Sequence, residues 1–175
     1  MIRSYAFAFI PATLFSGCTS HRAADGNTVA ALDSIVLERT PCYGSCPAYR
    51  LTIARGGAVR YLGKNVEDSA PPVSATIPAG LLDTLAARAA QIGFDQLPDT
   101  IANDRSLCVT AATDNSTIIV GLFGQRSKEV VYYMGCTTGR MDVPRAPPLV
   151  KLAAFADLVD SLTDSRRWIH PDRRR

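Results

Sequence analysis

Histidine is almost missing from this chain. There are two in 175 residues, His21 and His170, one near each end. The stretch between them offers no imidazole to serve a serine nucleophile as general base, and no histidines to complete a zinc site. Glycine-rich phosphate loops are absent too, since Gly56-Gly57 leads into no helical pattern. Charge of one sign is also lacking. The formal net charge is +3; without Arg3 and the terminal Arg173, Arg174 and Arg175, nineteen basic against sixteen acidic residues become fifteen against sixteen, or −1. A body this close to neutral carries no electrostatic footprint for nucleic acid. The apolar run from Tyr5 to Phe15 has eleven residues and holds Pro11, short of the roughly 20 that a membrane-spanning helix needs.

What is present reads first as an address. Arg3 followed by Tyr5 to Phe15 has the form of an export signal, residues 1–17. The run ends in Leu14-Phe15-Ser16-Gly17-Cys18, which resembles the lipobox of bacterial lipoproteins in its small Ser16 and Gly17 before a cysteine, and departs from it at Phe15, where a leucine is usual. The resemblance implies that Cys18 is lipidated and becomes the first mature residue, anchored by acyl chains worth about 0.8 kcal/mol per buried methylene. Thr19, rather than an aspartate, follows, which implies an outer-membrane destination facing the periplasm. Residues 18–31 are small and polar and read as a tether.

From Leu32 to Ile169 the composition, 47% hydrophobic and 20% charged over the whole chain, fits one globular domain with a real core. Ser34 to Arg39 is a strand candidate. Tyr49, Leu51 and Ile53 alternate with polar residues, Arg55-Gly56-Gly57 turns the chain, and Val59 and Tyr61 continue the alternation. Asp68 to Pro72 reads as a loop and Val73 to Ile77 as a short strand. Leu81, Leu85, Ala89 and Ile92 recur at helical spacing, with Gly93 placed to end the helix and Phe94 and Leu97 to tuck in behind it. Leu107 to Ala112, Thr117 to Phe123 and Glu129 to Met134 are three further strand candidates. Met141 to Pro148 is expected to be irregular. A second helix is expected from about Pro148 to Leu162, with Leu149, Leu152, Ala156, Val159 and Leu162 on its apolar side; Trp168 and Ile169 dock back and 170–175 is a basic tail. The fold expected is an α+β two-layer sandwich: a mainly antiparallel sheet of about six or seven strands with two amphipathic helices on one face.

Setting Cys18 aside leaves Cys42, Cys46, Cys108 and Cys136. An even number in an exported chain favours disulfides, and four cysteines allow three connectivities. Cys42–Cys46 with Cys108–Cys136 is the preferred pairing, the latter closing within the sheet, and the cross-pairings stay open.

The most specific stretch of the chain is Thr40-Pro41-Cys42-Tyr43-Gly44-Ser45-Cys46-Pro47-Ala48-Tyr49. A structural clamp is the first reading, with prolines fixing φ. A soft-metal site for copper or zinc through Cys42 and Cys46 is a second, though His21 and His170 are poorly placed to help. Thiol–disulfide exchange is a third, without the CxxC spacing or a following helix to depress a thiol pKa. Asp95, Asp99, Asp104 and Asp114 fall in polar segments, where aspartate forms turns, and Lys128 and Glu129 flank a strand.

Arg39 to Tyr49, followed by Leu51-Thr52-Ile53 and a glycine turn, resembles an uncharacterised bacterial family, domain of unknown function 6438. Phe94, Thr113-Asp114, Lys128-Glu129-Val130 before Tyr132-Tyr133, and Arg167-Trp168-Ile169 add to the resemblance, which spans roughly Ile35 to Ile169. The family brings no established activity and no catalytic residues. The function expected is a lipid-anchored cell-envelope domain, non-catalytic, binding or structural, without cofactor. Its partners are the membrane through its anchor and an unidentified envelope component, not nucleic acid.

Overall fold

The computed structural model of the protein describes residues 31–64 and 71–169. The expected signal peptide, Cys18, all but the last residue of the tether, His21, most of the Asp68 to Pro72 loop and the basic tail lie outside the described residues.

The sheet begins with β1 (Leu32–Arg39), β2 (Tyr49–Ala54), β3 (Ala58–Gly63) and β4 (Val73–Thr76), continues through α1 (Leu81–Gln91), and is completed by β6 (Thr117–Gly124) and β7 (Lys128–Tyr133). Two short strands, β5 (Thr110–Ala111) and β8 (Cys136–Thr137), pair with each other, and α2 (Pro147–Thr163) follows. The six long strands run in the order β4-β3-β2-β1-β6-β7, antiparallel at every step. The alternation read from the sequence explains the register. Ile35 faces Ile53 on one side and Leu122 on the other, and Leu37 faces Leu51 and Val120, so aliphatic residues line up in rows on one face.

That face is the core. Leu82, Leu85, Ala86 and Ala89 of α1 and Leu149, Leu152, Phe155, Ala156 and Val159 of α2 bury themselves on it, giving the two-layer α+β sandwich. The α1 stripe settles on Leu82 where Leu81 was expected. Gly93, at φ 73°, turns the chain out of α1 in the left-handed conformation that a helix C-terminus favours. Phe94 and Leu97 are buried behind it. In the β2–β3 hairpin Gly57 has φ 88°, and a Cβ there would lie 2.1 Å from the Ile77 carbonyl oxygen. No side chain fits where β4 closes over the turn.

The other sheet face carries Glu38, which is buried and accepts ion-paired hydrogen bonds from Arg50 (2.9 Å) and Lys64 (2.5 Å). Burial pushes the Glu38 carboxyl up, but the two cations outweigh it and hold the group below its usual range.

Two expectations fail between residues 104 and 137. The segment Leu107 to Ala112 is not a strand of the main sheet; only Thr110–Ala111 is extended, in a separate two-stranded ribbon. The cause lies upstream. Asp104 accepts from the Ser106 amide and hydroxyl, and its carbonyl accepts from the amides of Leu107 and Cys108, so these residues form a turn. Consequently Cys108 and Cys136 meet beside the small ribbon, not within the main sheet. The second helix starts one residue earlier than expected, at Pro147, and ends one later, at Thr163.

Candidate functional site

The cysteine stretch joins β1 to β2. Cys42 and Cys46 are bonded to each other, with their Cα atoms 5.5 Å apart, and Cys108 is bonded to Cys136 at 4.9 Å. This is the preferred pairing of the four cysteines. The loop is tied at several points. The Thr40 amide donates to the Thr117 carbonyl (2.9 Å), the Thr117 amide to the Thr40 hydroxyl (2.8 Å), the Tyr43 amide to the Asp114 carbonyl (3.2 Å) and the Lys64 amide to the Ala48 carbonyl (2.8 Å). Tyr43 at the tip is 89% exposed.

The residues flanking the loop carry the more informative geometry. Arg39 and Tyr49 are cross-strand partners, and both side chains point to the helical face. There they meet Asp160 of α2, which is buried. Asp160 Oδ1 accepts from the Tyr49 hydroxyl (2.5 Å) and the Ser165 hydroxyl (2.7 Å); Oδ2 accepts from Arg39 Nε (3.0 Å) and Nη2 (2.8 Å). Arg39 Nη2 also reaches the exposed Asp157 (2.7 Å), and Nε donates to the Tyr49 oxygen (3.0 Å). Tyr61 stacks on Tyr49 at 5.2 Å, Trp168 tilts against Tyr61 at 5.5 Å, and the Arg167 guanidinium lies 4.6 Å over the Trp168 ring. The loop, the sheet and the C-terminal end of α2 thus converge on one carboxylate.

Burial and the neighbouring Asp160 charge push the Tyr49 phenol well above its usual range. It is therefore a hydrogen-bond donor at any physiological pH and not a base. Arg39 stays charged. With both oxygens of Asp160 engaged by two donors each, the network ties β1 and β2 to the C-terminal end of α2.

Asp160 escaped the sequence reading although its spacing was available. It lies four residues after Ala156 and one turn before Thr163, on the apolar side of α2, where a carboxylate must find partners. Arg39 was visible only as part of the cysteine motif. Among the aspartates noted in polar segments, Asp104 forms the turn described above, Asp99 pairs with Lys128 (2.5 Å), and Asp114 takes a left-handed φ of 63°. Trp168 and Ile169 are partly buried against the core, as expected. Among the described residues no group of three or more His, Cys, Asp or Glu side chains could hold a metal ion, and no helix is long and apolar enough to cross a membrane.

A second feature lies at the opposite end of α2. An open cleft of about 460 Å³ is bordered by Ala112, Met134, Pro144 and Val150, with Asn115 and Arg145 as polar members. The Cys108–Cys136 ribbon forms one of its walls through Thr137.

These elements define a disulfide-stapled α+β sandwich whose first loop is locked to its last helix. The chain belongs to the family described as domain of unknown function (DUF6438), which matches residues 33–144. That span holds the Cys42–Cys46 loop and both disulfides and ends before α2, so Asp160, Ser165 and Trp168 lie outside it. Comparison with curated proteins gives no match.

Proposed function

We propose that this protein is a lipid-anchored, non-catalytic domain of the bacterial cell envelope, in which the Cys42–Cys46 loop is a structural clamp. The observation that carries the clamp is the Arg39–Tyr49–Asp160 junction. The disulfide closes the connection between two residues that must stay in register to share one buried carboxylate. A phenol held protonated and a carboxylate with both oxygens occupied suit a positioning role and not general acid–base work.

The alternative, thiol redox or soft-metal handling by Cys42 and Cys46, needs thiolates, and in the disulfide each sulfur is taken by the other. Two disulfides in one small domain also suit an oxidising compartment, which supports an exported protein. The lipid anchor rests on Ser16-Gly17-Cys18. Expression of the full chain and of Cys18→Ser tests it. The wild type should partition with membranes and carry acyl mass at Cys18, and the variant should lose both. Unchanged partition and mass in the variant would remove the anchor.

A further inference from the structure

The cleft at the N-terminal end of α2 is electropositive and apolar at once. Arg145 makes no ion pair among the described residues, and its one side-chain hydrogen bond there is a long 3.4 Å contact with the Met134 carbonyl. Next to it α2 begins with Ala146 at its N-cap, which supplies no capping side chain, and with Pro147 and Pro148. No acidic residue sits in the first turn, so the positive end of the helix dipole is left unneutralised beside the guanidinium. Apart from Asn115 and Thr137 the rest of the border carries no polar side chain. Val150 is 53% exposed, and the nearby Val109 and Val143 are 53% and 39% exposed. Three of the exposed large hydrophobics thus gather at this one corner, where the Thr137 carbonyl accepts from the Val109 amide and the Pro144 carbonyl from the Thr138 amide.

A buried polar group outside the cleft's border also lacks a partner among the described residues. The Tyr132 hydroxyl is fully buried and makes no hydrogen bond among the described residues. Such a group normally finds a partner or is replaced by phenylalanine. Burial raises the phenol, and the charge working against that rise is Arg145.

We propose that the cleft binds a monocarboxylate with an apolar body. Its carboxylate pairs with Arg145 and its chain lies along Met134, Pro144 and Val150. A volume of about 460 Å³ lies within the range of small-ligand sites, and an unpaired guanidinium matches a carboxylate in charge and fork geometry. A free acid and the C-terminus of a chain present the same chemistry. Ligand capture here requires neither the lipid anchor nor the Cys42–Cys46 clamp.

The test titrates the full chain with sodium octanoate, with octan-1-ol, and with the tetrapeptide Gly-Ala-Leu-Val in free-acid and amidated forms, followed by amide NMR shifts. Octanoate or the free-acid peptide should bind saturably, at on the order of 1 mM or tighter, shifting Asn115, Gly135, Thr137 and Val150. The tighter of the two assigns the source of the carboxylate. Arg145→Gln should weaken binding about tenfold or more, as loss of a charged hydrogen bond does, while leaving the unliganded spectrum folded. Tyr132→Phe, which removes a buried unpaired hydroxyl without touching the cleft's border, should raise the melting temperature of the free protein. Equal affinity for octan-1-ol and octanoate would overturn the proposal, as would an unchanged affinity in Arg145→Gln or the absence of saturable shifts in the cleft.

Discussion

Replacing Asp160 by alanine is the most demanding perturbation of the clamp. The substitution deletes a carboxylate that accepts four hydrogen bonds, two of them from a guanidinium whose side chain is only 17% exposed. Removing one partner of a buried ion pair costs about 3–5 kcal/mol, because the remaining charge stays desolvated. Asp157 keeps its 2.7 Å contact with Arg39 Nη2 and offsets part of this, which places the expectation near the lower bound, about 3 kcal/mol. For a domain of this size that lowers the melting temperature by roughly 10 °C. Urea unfolding at pH 7, followed by Trp168 fluorescence, measures the change. Asp157→Ala is the control: its side chain is 65% exposed, so its loss should cost less than about 1 kcal/mol. An Arg39→Met/Asp160→Leu pair should recover part of the stability lost in Asp160→Ala, since it removes the uncompensated guanidinium while the Tyr49 and Ser165 hydroxyls still lose their acceptor. A cost below about 1 kcal/mol for Asp160→Ala would refute the reading of this junction as the point where loop and helix are locked.

Stability should also fall in alkali. The folded state holds the Tyr49 proton to higher pH than the unfolded chain does, so above about pH 10 the unfolded state binds fewer protons and unfolding is favoured as pH rises. Urea midpoints at pH 8 and pH 11 should show the loss, and Tyr49→Phe should reduce it, the buried Tyr132 phenol supplying a further share. The two disulfides should differ in access and in weight. Cys108 and Cys136 are 7% and 0% exposed, so mild phosphine treatment followed by alkylation and mass spectrometry should open Cys42–Cys46 first. Replacing Cys108 and Cys136 by serine should cost about 3.5 kcal/mol by loop entropy, against about 2 kcal/mol for the shorter Cys42–Cys46 loop, measurable as urea midpoints.

The sheet was legible where period-two alternation and turn residues agreed. Tyr49 to Tyr61 with Gly56-Gly57 between them is an example, because the pattern that buries one face also sets the register. Both helices were legible from spacing. The Leu107 to Ala112 segment misled because its β-prone composition competes with the Asp104-centred turn, and the hydrogen bonds of that turn take the first half of the segment. The junction was half visible. Arg39 and Tyr49 stood in the cysteine motif, but their common partner lies about 110 residues or more away. A carboxylate on an apolar helix stripe shows that a partner is needed without saying which one. The cleft had no sequence signal, since Arg145 sits in a proline-rich segment that read as irregular chain and Val150 in the first turn of the expected helix, off its apolar side.

In a structural clamp the fold and the Cys42–Cys46 bond stabilise each other. Equilibrating the full chain with glutathione buffers, natively and in urea, and quantifying the alkylated Cys42–Cys46 peptide, measures it directly. A clamp worth about 2 kcal/mol makes the bond's reduction potential roughly 40 mV more negative in the folded protein than in the unfolded chain. A potential in the folded protein equal to or less negative than that of the unfolded chain would mean that the fold favours the dithiol, as a working redox pair does, and would contradict the clamp.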